Sequence, residues 1–132
     1  MNITSDALLT DLYELTMAQA YLAQGMTDIA VFEFFVRKLP PQRNFFMAAG
    51  LEQVLSYLEA FQFSDADIAW LDQTGGFRPA SLNALRAMRF TGEVHAMPEG
   101  SLFFPHEPIL RITAPLPQAQ LVETRVMNLL NF

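Results

Sequence analysis

The chain has 132 residues, of which 52% are hydrophobic and only 17% charged, with 14 acids against 8 bases and no cysteine. The net charge of −6 argues against a nucleic-acid groove or an anionic membrane surface as the main partner, and the missing cysteines exclude disulfides, thiolate zinc sites and cysteine nucleophiles. Twelve phenylalanines give more apolar surface than a small monomer needs, so part of it is expected to face a partner or another domain.

The opening residues 1–6 carry an acid, no base and no apolar run long enough for a signal peptide or a membrane span, which predicts a soluble, cytoplasmic protein. Residues 11–24 place Leu12, Leu15, Ala18, Tyr21 and Leu22 at helical spacing, with Gly25 as terminator. Residues 29–37 are rich in β-branched and aromatic side chains on both alternating faces, which predicts a strand in the interior of a sheet, ended by Pro40-Pro41. A helix over about 51–59 follows Gly50. Ser64 reads as the N-cap of the next helix, with Asp65 and Asp67 in its first turn and Gly75-Gly76 at its end. A further helix is predicted over 79–88. Three short strands are expected at 91–97, 101–104 and 109–113, separated by the turns Pro98-Glu99-Gly100 and Pro105-His106-Glu107-Pro108. Leu121, Val122, Val126, Leu129 and Leu130 give residues 118–132 a helical stripe, and the lack of a polar end predicts that the chain is cut within it.

Several residues could carry chemistry. His95 and Glu93 share a strand face but lack a third metal ligand, and His106 lies in a turn between prolines; both histidines read as surface residues, and no metal site is expected. Gly75-Gly76 and Ala49-Gly50 lack the spacing of a phosphate loop. Asp65, Asp67 and Asp72 read as capping and solvated acids. Arg37-Lys38-Leu39-Pro40-Pro41-Gln42-Arg43 gathers three of the eight bases in seven residues. Arginine forks fit phosphate oxygens, and the prolines would stiffen the loop, yet a solvated strand end explains the composition equally well. Tyr13 on its helix fits either packing or a flat platform for a heteroaromatic ring, with Asp11 as a first-turn acid.

The order of these segments adds to that reading. Thr10-Asp11-Leu12-Tyr13-Glu14-Leu15-Thr16-Met17 resembles the N-terminal signature of nicotinate phosphoribosyltransferases. Phe32-Glu33-Phe34-Phe35-Val36-Arg37, Leu39-Pro40 through Arg43, and Ala48-Ala49-Gly50-Leu51 resemble the family's next blocks. So do Phe90-Thr91-Gly92-Glu93-Val94, Pro98-Glu99-Gly100, Phe104-Pro105, Glu107-Pro108 and Gln120-Leu121-Val122-Glu123-Thr124.

The resemblance implies an α+β fold of mixed helices and a small sheet, the N-terminal domain of a type II phosphoribosyltransferase. Residues 1–116 would form this domain and 117–132 the first helix leading into an absent α/β barrel. The implied reaction makes nicotinate mononucleotide from nicotinate and phosphoribosyl pyrophosphate, coupled to ATP hydrolysis with Mg2+, in NAD salvage. The family works as a homodimer with shared active sites. Tyr13 would stack on nicotinate in the partner subunit's site, beside Asp11, with Arg37 and Arg43 near the phosphates. The resemblance places the phospho-accepting histidine beyond Phe132, so no catalytic residue and no bound cofactor are expected in this chain, and no turnover from it alone. A non-catalytic dimerisation or binding module of the same fold is the alternative. A β carrier is disfavoured, since the only lysine is Lys38. Nicotinamide and quinolinate phosphoribosyltransferases are the other relatives of this architecture.

Overall fold

The computed structural model describes residues 6–131, so the readings made on residues 1–5 and on Phe132 lie outside it. A 3-10 turn at Asp6–Leu8 leads into helix α1 (Leu12–Ala23), whose end just before Gly25 matches the expected terminator. Strand β1 (Ile29–Phe34) and the short β2 (Phe46–Met47) follow. Helices α2 (Leu51–Glu59), α3 (Asp65–Thr74) and α4 (Pro79–Ala87) lie close to their predicted places. Strands β3 (Glu93–Ala96), β4 (Leu102–Phe103) and β5 (Leu110–Pro115) then lead directly into helix α5 (Leu116–Leu130).

Helix α3 starts where local chemistry demands. The Asp67 N–H donates to Ser64 Oγ at 3.1 Å and the Ser64 N–H donates to Asp67 Oδ2 at 2.7 Å, a reciprocal capping box. Asp67 is thus a capping acid, as expected. Proline opens α4, where its missing N–H is not needed.

The strands form a three-stranded antiparallel sheet in the order β1-β5-β3 and a two-stranded ribbon of β2 and β4. This corrects two sequence expectations. β1 is an edge strand, not an interior one: Phe34 is buried, while Ile29 and Val31 on the other face are 65% and 56% exposed. It also ends at Phe34, well before Pro40-Pro41, because the chain beyond it meets the Pro105–Pro108 turn. There the His106 N–H donates to the Val36 carbonyl at 2.8 Å. Residue type alone showed two apolar faces. It could not show that the described residues cover only one of them. Strand β2 was not foreseen, since two residues carry no periodicity. The turn-rich region is no independent unit either, because β3 and β5 share a sheet with β1, and β4 pairs with β2.

The core forms beneath the sheet around α5. Leu121, Val122 and Val126 of α5 are fully buried with Leu15 and Ala18 of α1, Val54 and Leu58 of α2, Ile68 and Leu71 of α3, and Leu110, Ile112 and Ala114 of β5. Tyr57, Phe61 and Phe63 stack edge to face at ring separations of 5.8 and 5.7 Å, joining α2 to α3. Among the described residues no helix is long and apolar enough to cross a membrane.

Candidate functional site

The buried stripe of α1 is rotated from the one the sequence suggested. Glu14, Leu15 and Ala18 face the core, whereas Leu12 is 64% exposed. Glu14 therefore occupies an inward position with no accessible surface at all. Its carboxylate is held by hydroxyls and one amide. Thr10 Oγ1 donates to Oε2; on α5, Thr124 donates to Oε1 through its N–H at 3.1 Å and through Oγ1 at 2.7 Å. The Tyr13 hydroxyl reaches the same Oε1 at 3.4 Å, at the limit of hydrogen-bond range.

Tyr13 sits on the rim of this arrangement. The residue is 47% exposed, with its hydroxyl turned toward Glu14. Burial of its inner edge, then the negative charges of Glu123 and Glu14, hold its pKa above that of an ordinary phenol. The ring is therefore neutral at physiological pH. Asp11 is the residue before α1, but its side chain does not cap the helix. It accepts instead from Thr124 Oγ1 at 3.1 Å, so one hydroxyl serves both Asp11 and Glu14. Glu123, the neighbour of Thr124, accepts from Gln120 Nε2 at 2.7 Å; burial, followed by the charge of Glu14, raises its carboxyl pKa.

The cluster continues inward. Arg125 donates to Asp6 at 2.7 Å. The Tyr57 hydroxyl and Arg125 Nε are buried with no hydrogen-bond partner among the described residues. Burial, reinforced by the charge of Glu14, pushes the Tyr57 hydroxyl far above its usual range.

The basic loop follows the far end of β1 from α1. Arg37, Lys38 and Arg43 are exposed, and among the described residues no acid forms an ion pair with any of them. The Arg43 N–H donates to the Pro40 carbonyl at 2.9 Å, closing the turn, and its guanidinium lies 5.6 Å from the centre of the Phe46 ring. Among the described residues no hydrogen bond or ion pair joins this loop to the α1–α5 cluster. His95 and His106 are both exposed, and among the described residues no three metal-ligating side chains come together.

The family model for the nicotinate phosphoribosyltransferase (NAPRTase) N-terminal domain matches residues 8–131. The chain belongs to the nicotinate phosphoribosyltransferase family. A nicotinate phosphoribosyltransferase of Mycobacterium tuberculosis is 54% identical over 92% of this chain, and one of Bacillus subtilis is 42% identical over 96%. The chain spans about a quarter of these relatives, 26% of each. The crystal structure of human nicotinic acid phosphoribosyltransferase superposes over 92% of this chain and 25% of its own, with a TM-score of 0.84 and 41% identity. A nicotinate-nucleotide pyrophosphorylase from Pyrococcus furiosus, 20% identical with a TM-score of 0.70, shares the fold. The mixed helices and small sheets are thus those of a nicotinate phosphoribosyltransferase N-terminal domain, as the sequence led us to expect.

Several segments that resembled the nicotinate phosphoribosyltransferase blocks meet in space. The Tyr13 block and the Gln120–Thr124 block touch through Glu14 and Thr124. The Ala48–Leu51 and Pro98–Gly100 blocks meet as well: the Gly100 N–H donates to the Ala48 carbonyl at 2.8 Å and Glu99 Oε1 accepts from the Glu52 N–H at 3.2 Å. Glu14, Glu123 and Thr124 lie within those blocks, but the sequence pattern assigns them no role. The available signal was the acid one position past Tyr13, four residues after a threonine and beside Leu15.

Proposed function

We propose that this chain is the N-terminal part of a nicotinate phosphoribosyltransferase that joins nicotinate to phosphoribosyl pyrophosphate, giving nicotinate mononucleotide for NAD synthesis. Residues 1–116 act as the α+β domain, and residues 117–132 lead into a barrel that carries the phospho-accepting histidine. The observation that carries this reading is the half-open, neutral ring of Tyr13, docked beside carboxylates in a chain of this family. Tyr13 stacks on nicotinate, and does so in the site of a partner subunit in a homodimer. Asp11 shapes the same pocket. Arg37 and Arg43, free of acidic partners among the described residues, approach the phosphates of phosphoribosyl pyrophosphate.

The chemistry suits such a platform. As the ring nitrogen bonds to the ribose carbon, the bond from that carbon to pyrophosphate breaks, pyrophosphate leaves with its electron pair, and positive charge appears on the pyridine. A phenol face with Asp11 and Glu123 nearby favours that charge over the neutral ring. Coupling to ATP with Mg2+ belongs to the rest of the protein. The described residues bring no set of metal ligands together, so no step is assigned to them through the metal. The protein is cytoplasmic and uses neither nucleic acid nor membrane. The similarity to named nicotinate enzymes at 54% and 42% identity supports nicotinate over nicotinamide or quinolinate as substrate.

The test is steady-state kinetics on the full-length protein. Stacking on a flat ring is worth on the order of 1 kcal/mol. Tyr13→Ala should therefore raise KM for nicotinate about fivefold. An unchanged KM removes Tyr13 from the site.

A further inference from the structure

We propose that Glu14 is a positioning residue: through Thr10 and Thr124 it fixes the first turn of α1, and with it the Tyr13 ring. This rests on Tyr13 being the nicotinate platform. Tyr13 stands in the first turn of α1, where backbone N–H groups lack helical partners and the helix frays unless capped. The capping position is filled by Asp11, and its side chain makes no cap hydrogen bond. The turn is held by tertiary bonds instead. Glu14 accepts from Thr10 just before the helix and from both the N–H and the hydroxyl of Thr124 on α5, at 3.1 and 2.7 Å. Thr10 and Thr124 thereby bracket Tyr13 from two directions.

The choice of residue points the same way. Glu14 is fully buried, and among the described residues no lysine, arginine or histidine forms an ion pair with it. The nearby Arg125 is engaged by Asp6. A buried carboxylate satisfied only by neutral donors is a poor device for stability, since an apolar side chain of similar volume serves as well or better. It is a good device for geometry. Each donor must sit at hydrogen-bond distance in a fixed direction, so α1 has one register and one rotation on α5. Glutamine reproduces this only in part: its oxygen accepts from Thr124, but its amide nitrogen donates, so the Thr10 hydroxyl must turn to accept and the charge that strengthens each bond is lost.

The experiment compares Tyr13→Ala, Glu14→Gln, Thr124→Val and the double variant of Glu14 and Thr124 in the full-length protein. KM for nicotinate, KM for phosphoribosyl pyrophosphate, kcat and Tm are measured for each. Glu14→Gln and Thr124→Val should each raise KM for nicotinate by roughly the same fivefold as Tyr13→Ala, leaving KM for phosphoribosyl pyrophosphate unmoved. The double variant should add little to either single one, because both break one network. Thr124→Val keeps its backbone N–H bond to Glu14, which guards against a variant that merely fails to fold. A fall in Tm with nicotinate KM unchanged makes Glu14 purely structural and overturns the proposal. So does an equal rise in both Michaelis constants. If Tyr13→Ala alone raises nicotinate KM, the platform stands and the positioning role fails. If Tyr13→Ala leaves it unchanged, the platform itself is wrong and Glu14 has nothing to position.

Discussion

Glu123 lies on α5 within the influence of two other acids. Burial first, and Glu14 second, hold its carboxyl above the ordinary carboxylate range. Its proton is bound more tightly in the folded chain than in the unfolded one, so stability falls as pH rises from the unfolded value through the raised folded value. Glu123→Gln keeps an oxygen for Gln120 Nε2 and removes the charge. At pH 7 this variant should be more stable than the parent by less than about 1 kcal/mol, since the side chain is partly solvated. The gap should close below about pH 4, where the parent is protonated too. Thermal melts across that range measure it. At this scale Tyr13 and Asp11 were singled out by a motif, and the structure places both beside Glu14 and Thr124. Glu14 was not singled out, because hydrophobic periodicity assigns acids to the outside; Thr10 just before the helix and Thr124 from a distant segment together make an inward acid tolerable.

Helix α2 meets α5 through a glycine. Gly50 has φ +100°, and a Cβ built there would lie 2.3 Å from the Leu129 carbonyl oxygen, a backbone atom that cannot rotate away. Gly50→Ala should therefore cost roughly 2–4 kcal/mol, combining left-handed strain with a forced shift of α5. Urea denaturation should show the lowered midpoint; a loss below about 0.5 kcal/mol, the level of an ordinary surface change, would mean that α5 gives way freely. Other element boundaries were legible in the sequence for a local reason. Ser64 with Asp67, Pro79 and Gly25 act within one turn of their own helix, so four residues suffice to place an end. The edge position of β1 depends on whether a second strand pairs with its backbone on the side away from β5, which no local signal carries. Gly92 is a similar case: a Cβ there would lie 2.5 Å from Thr113 O, so it permits a close approach of the chain entering β3 to β5 that sequence spacing does not show.

The whole molecule leaves much apolar surface open. The register that pairs Met47 with Leu102 puts both on one face of the ribbon, and Phe45 and Phe104 alongside them are exposed too. This agrees with the excess of apolar residues read from composition. A cleft between α2, α5 and the strands, lined by Ala48, Met97, Phe103 and Leu130, holds about 10 Å3, room for one water at most. A single half-exposed ring supplies neither the positioning nor the charge stabilisation that phosphoribosyl transfer requires. Residues 1–132 alone should accordingly form no nicotinate mononucleotide when supplied with both substrates, ATP and Mg2+. Chromatographic detection of product that vanishes in Tyr13→Ala would refute this.

The sequence by itself determined the helices, the cap of α3, the excess of apolar surface and the family, because each is written in short-range spacing or in the order of short blocks. The tertiary structure decided which face of α1 is inside, that β1 stands at an edge, and that Glu14 binds Thr124 across 110 residues. Those depend on what distant segments bring to the same place, and a buried carboxylate or an open strand face acquires its meaning only from the neighbours it has or lacks.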